Sequence, residues 1–139
     1  MLKRLAFALL IAASPFPVFA QALTSAQALS LAEKFVAENG YTKQQPEQLK
    51  NPFDYESLEW TGERAIMIKQ RFNTLEDKAI GVKKTHPRKD TGWSVGFDLV
   101  DQAISEGRHC RVVTVGIDGS DIRVEHVDGI RKYFVGIDE

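Results

Sequence analysis

The stretch GWSVGFDLV, residues 92–100, decides how the rest of the chain is interpreted. Large apolar side chains occupy every second position, namely Trp93, Val95, Phe97 and Leu99. Strict alternation of this kind is typical of a β-strand that turns one face to a core. We therefore predict a strand here, with its tryptophan side buried.

Two more strands are predicted after this one. RHCRVVTVGID, residues 108–118, is rich in β-branched side chains, and DIRVEHV, residues 121–127, alternates apolar with polar side chains. Gly119 and Ser120 separate them, which is typical of a tight hairpin turn. Residues 128–139 would add a last short strand or a packed tail.

The predicted hairpin places the histidines apart from one another. A two-residue turn would set His126 opposite Val113. The same register would set His109 opposite Ile130, several residues away. His86 lies in an earlier connection. We therefore expect no metal site and no cofactor, because a metal needs several ligands that converge on one point.

LTSAQALSLAEKFVAENGYT, residues 23–42, predicts one amphipathic helix. Thr24 can cap its first turn, with Gln27 three residues later completing a capping box. Asn39 and Gly40 are suited to the left-handed conformation that ends a helix. The apolar residues recur at three- and four-residue spacing and form one stripe. They are Ala28, Leu31, Ala32, Phe35 and Val36.

A helix followed by consecutive antiparallel strands predicts an α+β fold. Both kinds of element have an apolar side that needs a partner. We expect one N-terminal helix packed on a curved antiparallel sheet of about four strands, with Phe35 facing the sheet. Residues 21–139 would form this single domain.

Two segments carry weaker signals. Residues 41–62 are polar and lack a sustained period, so we predict a loop. After it, Asn73 and Glu76 resemble a helix cap, and we predict a helical turn near Leu75. A strand across residues 79–84 would follow and lead into the hairpin.

The chain begins with the pattern of a secretory signal peptide. Lys3 and Arg4 precede the apolar run LAFALLIAA, and SPFPVFA ends at the small residue Ala20. The run is too short for a transmembrane helix, which needs about 20 apolar residues. We expect cleavage near Ala20, leaving Gln21 at the start of a periplasmic or secreted protein. No cysteine follows the leader to carry a lipid, so we expect no membrane anchor.

The net charge argues against nucleic acid as a partner, and the single cysteine excludes an internal disulfide. The chain has 18 basic and 19 acidic residues, and loss of the leader would leave 16 and 19. A net-acidic protein is poorly suited to bind nucleic acid, whose phosphates attract cations. The single cysteine, Cys110, cannot form an internal disulfide, so the core must hold the fold. We expect Cys110 itself to be a small buried side chain.

No recognisable catalytic arrangement is present. GWSVG is not the G-x-S-x-G elbow of a serine hydrolase. DGSD, residues 118–121, lacks the later ligands of a calcium loop. We therefore expect a protein that is not an enzyme.

KKTHPRKD, residues 83–90, concentrates basic side chains between two predicted strands. A solvated hairpin tip is the ordinary explanation. The alternative is a contact with another, acidic protein, which the positive field would speed. The candidates for this contact are Lys83, Lys84, Arg88 and Lys89, together with three aromatic residues of the preceding loop, Phe53, Tyr55 and Trp60.

A second functional hypothesis is a small-ligand carrier. Its pocket would lie between the helix and the curled sheet and would be lined by Phe35, Trp93 and Phe97. A cavity of a few hundred Å³ beside these residues would favour it.

The pattern A-x-x-L-A-x-x-F-V-x-x-x-G, from Ala28 to Gly40, precedes GWSVGFD and VVTVGIDGSDIRV. In this order the motifs resemble the small secreted PepSY-type domains and the broader cystatin-like α+β group, over residues 29–40 and 92–124. The resemblance implies a binding or inhibitory module, in the manner of an inhibitor or immunity protein, and it assigns no site residues. The polar segment after Gly40 departs from the PepSY pattern.

Overall fold

The computed structural model describes residues 21–44, 70–125 and 129–135. They form one main helix and an antiparallel sheet, so the predicted α+β fold is confirmed. The elements are α1 (Ser25–Glu38), β1 (Leu75–Lys83), β2 (Gly92–Leu99), α2 (Gln102–Ser105), β3 (His109–Gly116), β4 (Arg123–Val124), β5 (Gly129–Ile130) and α3 (Arg131–Phe134). The strand order is β1–β2–β3–β4, and β5 pairs with the first residues of β3.

Helix α1 begins and ends as its sequence predicts. The Thr24 hydroxyl accepts the backbone N–H of Gln27 at 3.2 Å, and the Gln27 side chain accepts the N–H of Thr24 at 2.9 Å. At the other end, the Asn39 amide donates to the carbonyl of Phe35 at 2.8 Å, and Gly40 has a φ of 79°. The capping box and the left-handed stop are both confirmed.

One face of the sheet packs against α1. In the antiparallel register, Val95 lies opposite Val113, and Val113 lies opposite Val124. Phe35 and Trp93 belong to the same buried cluster, so the predicted packing of helix on sheet is confirmed. The buried apolar residues of this cluster are Ala28, Ala32, Phe35, Val36, Tyr41, Leu75, Trp93, Val95, Phe97, Val113, Val115 and Val124.

The opposite face of the sheet is also covered, and the covering element is α3. Gly81 of β1 lies directly opposite Gly96 of β2, and neither has a side chain to fill the space above it. Phe134 packs there: a Cβ added to Gly96 would lie 2.7 Å from Cγ of its ring. A Cβ on Gly81 would lie 2.2 Å from the Phe134 carbonyl oxygen. The paired glycines therefore form a flat floor that lets α3 approach the strands closely.

The predicted helical turn near Leu75 is wrong, because β1 begins at that residue. Asn73 adopts a left-handed conformation, with a φ of 57°, and does not cap a helix. The N–H groups of Thr74 and Leu75 both donate to the carbonyl of Tyr41, each at 3.0 Å. This contact with the segment after α1 starts the strand earlier than the local sequence pattern indicates.

The predicted β3–β4 register is wrong by two residues, although the β3–β5 register is correct. Val113 lies opposite Val124 and not opposite His126. The connection is longer than two residues: Gly116 accepts the N–H of Gly119 at 2.9 Å and donates its own N–H to Ser120. The predicted pairing of His109 with Ile130 is confirmed.

Several predictions fall outside the described residues. These are the leader at residues 1–20, the predicted loop from residue 45 onwards with its aromatic candidates Phe53, Tyr55 and Trp60, and His126. None of the described helices is long and apolar enough to cross a membrane.

Candidate partner-binding surface

The four basic candidates lie on or beside the loop between β1 and β2, which we call the basic loop (residues 83–91). The loop is fastened to β2, because the Ser94 hydroxyl donates to the carbonyl of Thr85 at 2.9 Å. Pleating places Ser94 on the same face of the sheet as Gly96, so the loop lies on the α3 side. The basic residues of this loop fall into two pairs with different neighbours.

Arg88 and Lys89 are neutralised within the protein. The Arg88 guanidinium forms a salt bridge with Glu125 and donates to the Thr114 hydroxyl at 3.3 Å. Lys89 forms a salt bridge with Asp121 at 2.9 Å. These contacts hold the loop against β3 and β4.

Two cations hold the carboxylate of Asp121. It accepts a hydrogen bond from Nε of Arg123 at 2.7 Å, in addition to its contact with Lys89. The bond from Arg123, followed by that from Lys89, lowers the pKa of Asp121 to about 2. The carboxylate therefore stays ionised at any pH above about 3.

Lys83 and Lys84 have aromatic neighbours instead. The Lys83 ammonium lies 5.7 Å from the centre of the Tyr133 ring, and the Lys84 ammonium lies 5.9 Å from that of Trp93. Among the described residues, no carboxylate lies within salt-bridge distance of either lysine. An exposed cation–π contact contributes only about 0.5–1 kcal/mol and leaves the positive charge open to a second partner.

Tyr133 belongs to an exposed apolar group at the C-terminal end of the described chain. We call Ile130, Tyr133 and Val135 the C-terminal patch; their exposed fractions are 65%, 47% and 38%. Isolated exposed apolar residues are ordinary, but three within six residues beside a cationic loop form a candidate contact surface.

Two contacts fix the position of this patch. Phe134 is buried on the glycine floor, between the exposed Tyr133 and Val135. Arg131 binds both carboxylate oxygens of Asp98, at 2.6 and 3.0 Å. That bidentate pair raises the pKa of Arg131 and ties the first turn of α3 to the end of β2.

The residues proposed for a small-ligand pocket are packed in the core. Phe35, Trp93 and Phe97 are 6%, 7% and 0% exposed, within one buried cluster. A cleft of about 350 Å³ lies elsewhere, and none of the three lines it. Its lining residues are Lys43, Gln44, Asn73, Leu75, Glu76, Asp77 and Val100.

The histidines and the cysteine do not form a metal site in the part of the chain that the structure describes. His86 is buried in the basic loop, where its Nδ1 accepts the N–H of Arg88 at 3.1 Å. His109 is exposed at the start of β3. Cys110 is buried, as its pattern predicts.

The sequence patterns did not single out Tyr133 or Ile130 as contact residues. Gly81 and Gly96 were the available signal, because a glycine inside a strand often marks the close approach of another part of the chain. The aromatic pair in IRKYF then offers one ring to fill that space and one to face outwards.

Comparisons of this chain with protein-family models, with curated proteins and with solved structures gave no match. The resemblance to PepSY-type and cystatin-like domains therefore stays a prediction.

Proposed function

We propose that this chain is an exported binding module whose target is an acidic surface of another protein. The contact is centred on Lys83 of the basic loop with Tyr133 and Ile130 of the C-terminal patch. Lys84, whose ammonium lies over the Trp93 ring of the α1 side, adds positive charge at the edge of this surface. The observation that carries the proposal is the exposed Tyr133 ring with the Lys83 ammonium 5.7 Å from its centre. Tyrosine supplies large contact area at low entropic cost, and such anchors dominate the energy of protein interfaces.

The charge arrangement favours an acidic partner. Lys83 and Lys84 keep their charge uncompensated by carboxylates among the described residues, and the exposed Lys132 adds a third cation next to Tyr133. Arg88 and Lys89 contribute less, because Glu125 and Asp121 already neutralise them. The basic loop is therefore divided into an available pair and an engaged pair.

The packing of the core favours a protein partner over a small ligand. Phe35, Trp93 and Phe97 fill the space between α1 and the sheet in which a carrier would hold its ligand. The proposal assigns no catalytic role to any residue, in keeping with a module that acts as an inhibitor or an immunity protein does.

Export is tested by the mass of the mature protein. The full chain is expressed in a Gram-negative host, the periplasmic and cytosolic fractions are separated, and the intact mass is measured. We expect a periplasmic product that begins at Gln21. A cytosolic product that retains Met1–Ala20 would contradict the export part of the proposal.

The binding surface is tested by comparing two pairs of substitutions that remove the same charge. The chain is used to capture partners from the periplasmic extract, and the captured acidic protein is purified for rate measurements. We expect Lys83→Gln with Lys84→Gln to slow association roughly tenfold at low salt, and Arg88→Gln with Lys89→Gln to slow it much less. Equal effects of the two pairs would contradict the assignment.

The apolar contribution is tested with residues of matched exposure. Tyr133→Ser should raise the dissociation rate by about tenfold or more, as expected of an anchor residue. Phe72→Ser is the control, because Phe72 is 44% exposed and belongs to neither surface. If no acidic protein is captured, or if both variants bind equally well, the proposed surface is wrong.

A further inference from the structure

His86 occupies an unusual position in the basic loop. Its side chain is 7% exposed although the residues around it in the loop are exposed. The ring packs on the backbone at the start of β2, where a Cβ added to Gly92 would lie 2.7 Å from its Cδ2. A buried histidine inside an exposed loop needs a structural reason, and its hydrogen bonds supply one.

The Nδ1 atom of His86 accepts the backbone N–H of Arg88 at 3.1 Å. An accepting nitrogen carries no proton, so the ring is neutral with its single proton on Nε2. The Nε2 atom is buried and has no hydrogen-bond partner among the described residues. Protonation of the ring would put a second N–H at Nδ1, where it would meet the N–H of Arg88. The loop conformation therefore requires the neutral form of His86.

The next two cations along the chain are the ones that fasten the loop. Arg88 bonds to Glu125 and Thr114, and Lys89 bonds to Asp121. The turn at His86 sets the direction from which both side chains approach β3 and β4. Loss of the Nδ1 bond would free the backbone at Arg88 and weaken both attachments.

We infer that His86 is a pH-sensitive latch: neutral, it holds the basic loop closed on Glu125 and Asp121, and protonated, it releases Arg88 and Lys89 to the surface. The inference goes beyond the proposed function and holds whatever protein binds. Acidification would enlarge the cationic surface from the lysine pair to all four basic residues of the loop.

Burial and the surrounding charges together lower the pKa of His86, which favours the neutral form that the loop requires. Burial lowers the pKa of His86, and the facing cations Arg88 and Lys89 lower it further. The facing carboxylates Asp121 and Glu125 raise the pKa but do not reverse the shift. Since the folded-state pKa lies below the ordinary value of 6.5, the latch is fully closed above that value. It loosens as the pH falls through the pKa of the folded protein.

The test measures hydrogen exchange of the Arg88 amide by NMR in the mature protein, from about pH 7.5 to about pH 5. The rates are corrected for intrinsic exchange. We expect the protection factor of this amide to fall by up to about tenfold per pH unit as the pH drops from 6.5 to the midpoint of the His86 ring, and to level off below that midpoint. The ring is followed directly through its nitrogen shifts, which also report whether the proton sits on Nε2.

Two substitutions make the test specific. His86→Asn keeps an acceptor for the Arg88 N–H but cannot titrate, so its protection should not change with pH in this range. His109→Asn removes an exposed histidine and should behave as the parent does. If His86→Asn does not fold, the parent protein decides the matter by its two midpoints.

Agreement between the His86 ring midpoint and the Arg88 exchange midpoint, both below 6.5, would support the latch. Protection that does not depend on pH in the parent would overturn it. A ring midpoint at or above 6.5, or the same pH dependence in His86→Asn, would overturn it equally.

Discussion

Helices α1 and α3 cover opposite faces of the same sheet, and they are held there by different means. Helix α1 is long, carries a complete capping box and presents an apolar stripe to large side chains of the strands. Helix α3 has four residues and no side-chain cap among the described residues; one buried ring on a glycine floor and the Arg131–Asp98 ion pair hold it. The contact of α1 depends on large apolar side chains of the strands. The contact of α3 depends on two glycines that have no side chain.

This difference also separates stability from function. The α1 face contains the main core, so its side chains are buried and cannot meet a partner. The α3 face buries Phe134 and leaves Tyr133 exposed beside Lys83. Helix α3 therefore presents a contact surface while it buries only one large side chain.

The largest expected effect is on the α1 face. Phe97→Ala removes a fully buried ring, and we expect the free energy of unfolding to fall by about 3–5 kcal/mol. Denaturant unfolding followed by circular dichroism measures it. Phe72→Ala, at a site that is 44% exposed, should change stability by less than about 0.5 kcal/mol. Similar losses in both variants would show that the core is not where we place it.

The next effect tests the glycine floor. Gly96→Ala puts a methyl group 2.7 Å from the Phe134 ring, so we expect a loss of about 1–3 kcal/mol. In a Phe134→Ala background the same change should cost less than about 0.5 kcal/mol, because the obstructing ring is gone. In a Tyr133→Ala background the full loss should remain. If Gly96→Ala lowers stability by the same amount with and without the Phe134 ring, then α3 does not depend on the absence of a side chain at Gly96.

A smaller effect on stability is expected from the capping box of α1. Thr24→Ala removes the acceptor for the Gln27 N–H, and we expect a loss of about 1 kcal/mol. Ser30→Ala, at an exposed position in the middle of α1, should be close to neutral. Thermal unfolding of the two variants gives the comparison. Equal stability would mean that the capping box contributes nothing to α1.

The smallest effect concerns the attachment of the basic loop at acidic pH. Because the folded-state pKa of Asp121 is about 2, its ion pairs stabilise the protein above the ordinary value of 3.8. That contribution, about 1 kcal/mol or less, is lost as the pH falls from about 4 towards 2. We expect Asp121→Asn to flatten the pH dependence of unfolding in this range. If Asp121→Asn leaves the pH dependence of the free energy of unfolding unchanged between about pH 4 and about pH 2, the ion pairs of Asp121 do not contribute to stability in this range.

The α1 face could be predicted from the sequence because its signals are local. The capping box, the helical stripe and the alternation around Trp93 each predict a helix or a strand from residues that are close together in the sequence. The start of β1 at Leu75 could not be predicted, since it depends on hydrogen bonds to the distant Tyr41 carbonyl. The β3–β4 register failed because Gly116 and Ser120 enlarge a turn that the sequence indicates to be tight.

The α3 face was harder to predict because its information lies in pairs of distant residues. Gly81 and Gly96 become meaningful only when they lie opposite each other, and Phe134 only when it meets both. The basic loop has the same character. Its sequence gives four similar cations, but Glu125 and Asp121 decide which two remain available.

Nuclear Overhauser contacts between the Phe134 ring and the glycine floor in solution are the most direct test of the docking of α3. We expect contacts from the ring protons to the α-protons of Gly81 and Gly96, which the ring current shifts upfield. We expect them together with the cross-strand contacts between β1 and β2. Intact β1–β2 contacts without any contact from Phe134 would show that α3 does not dock on the glycines, and the proposed surface of Tyr133 and Lys83 would not exist.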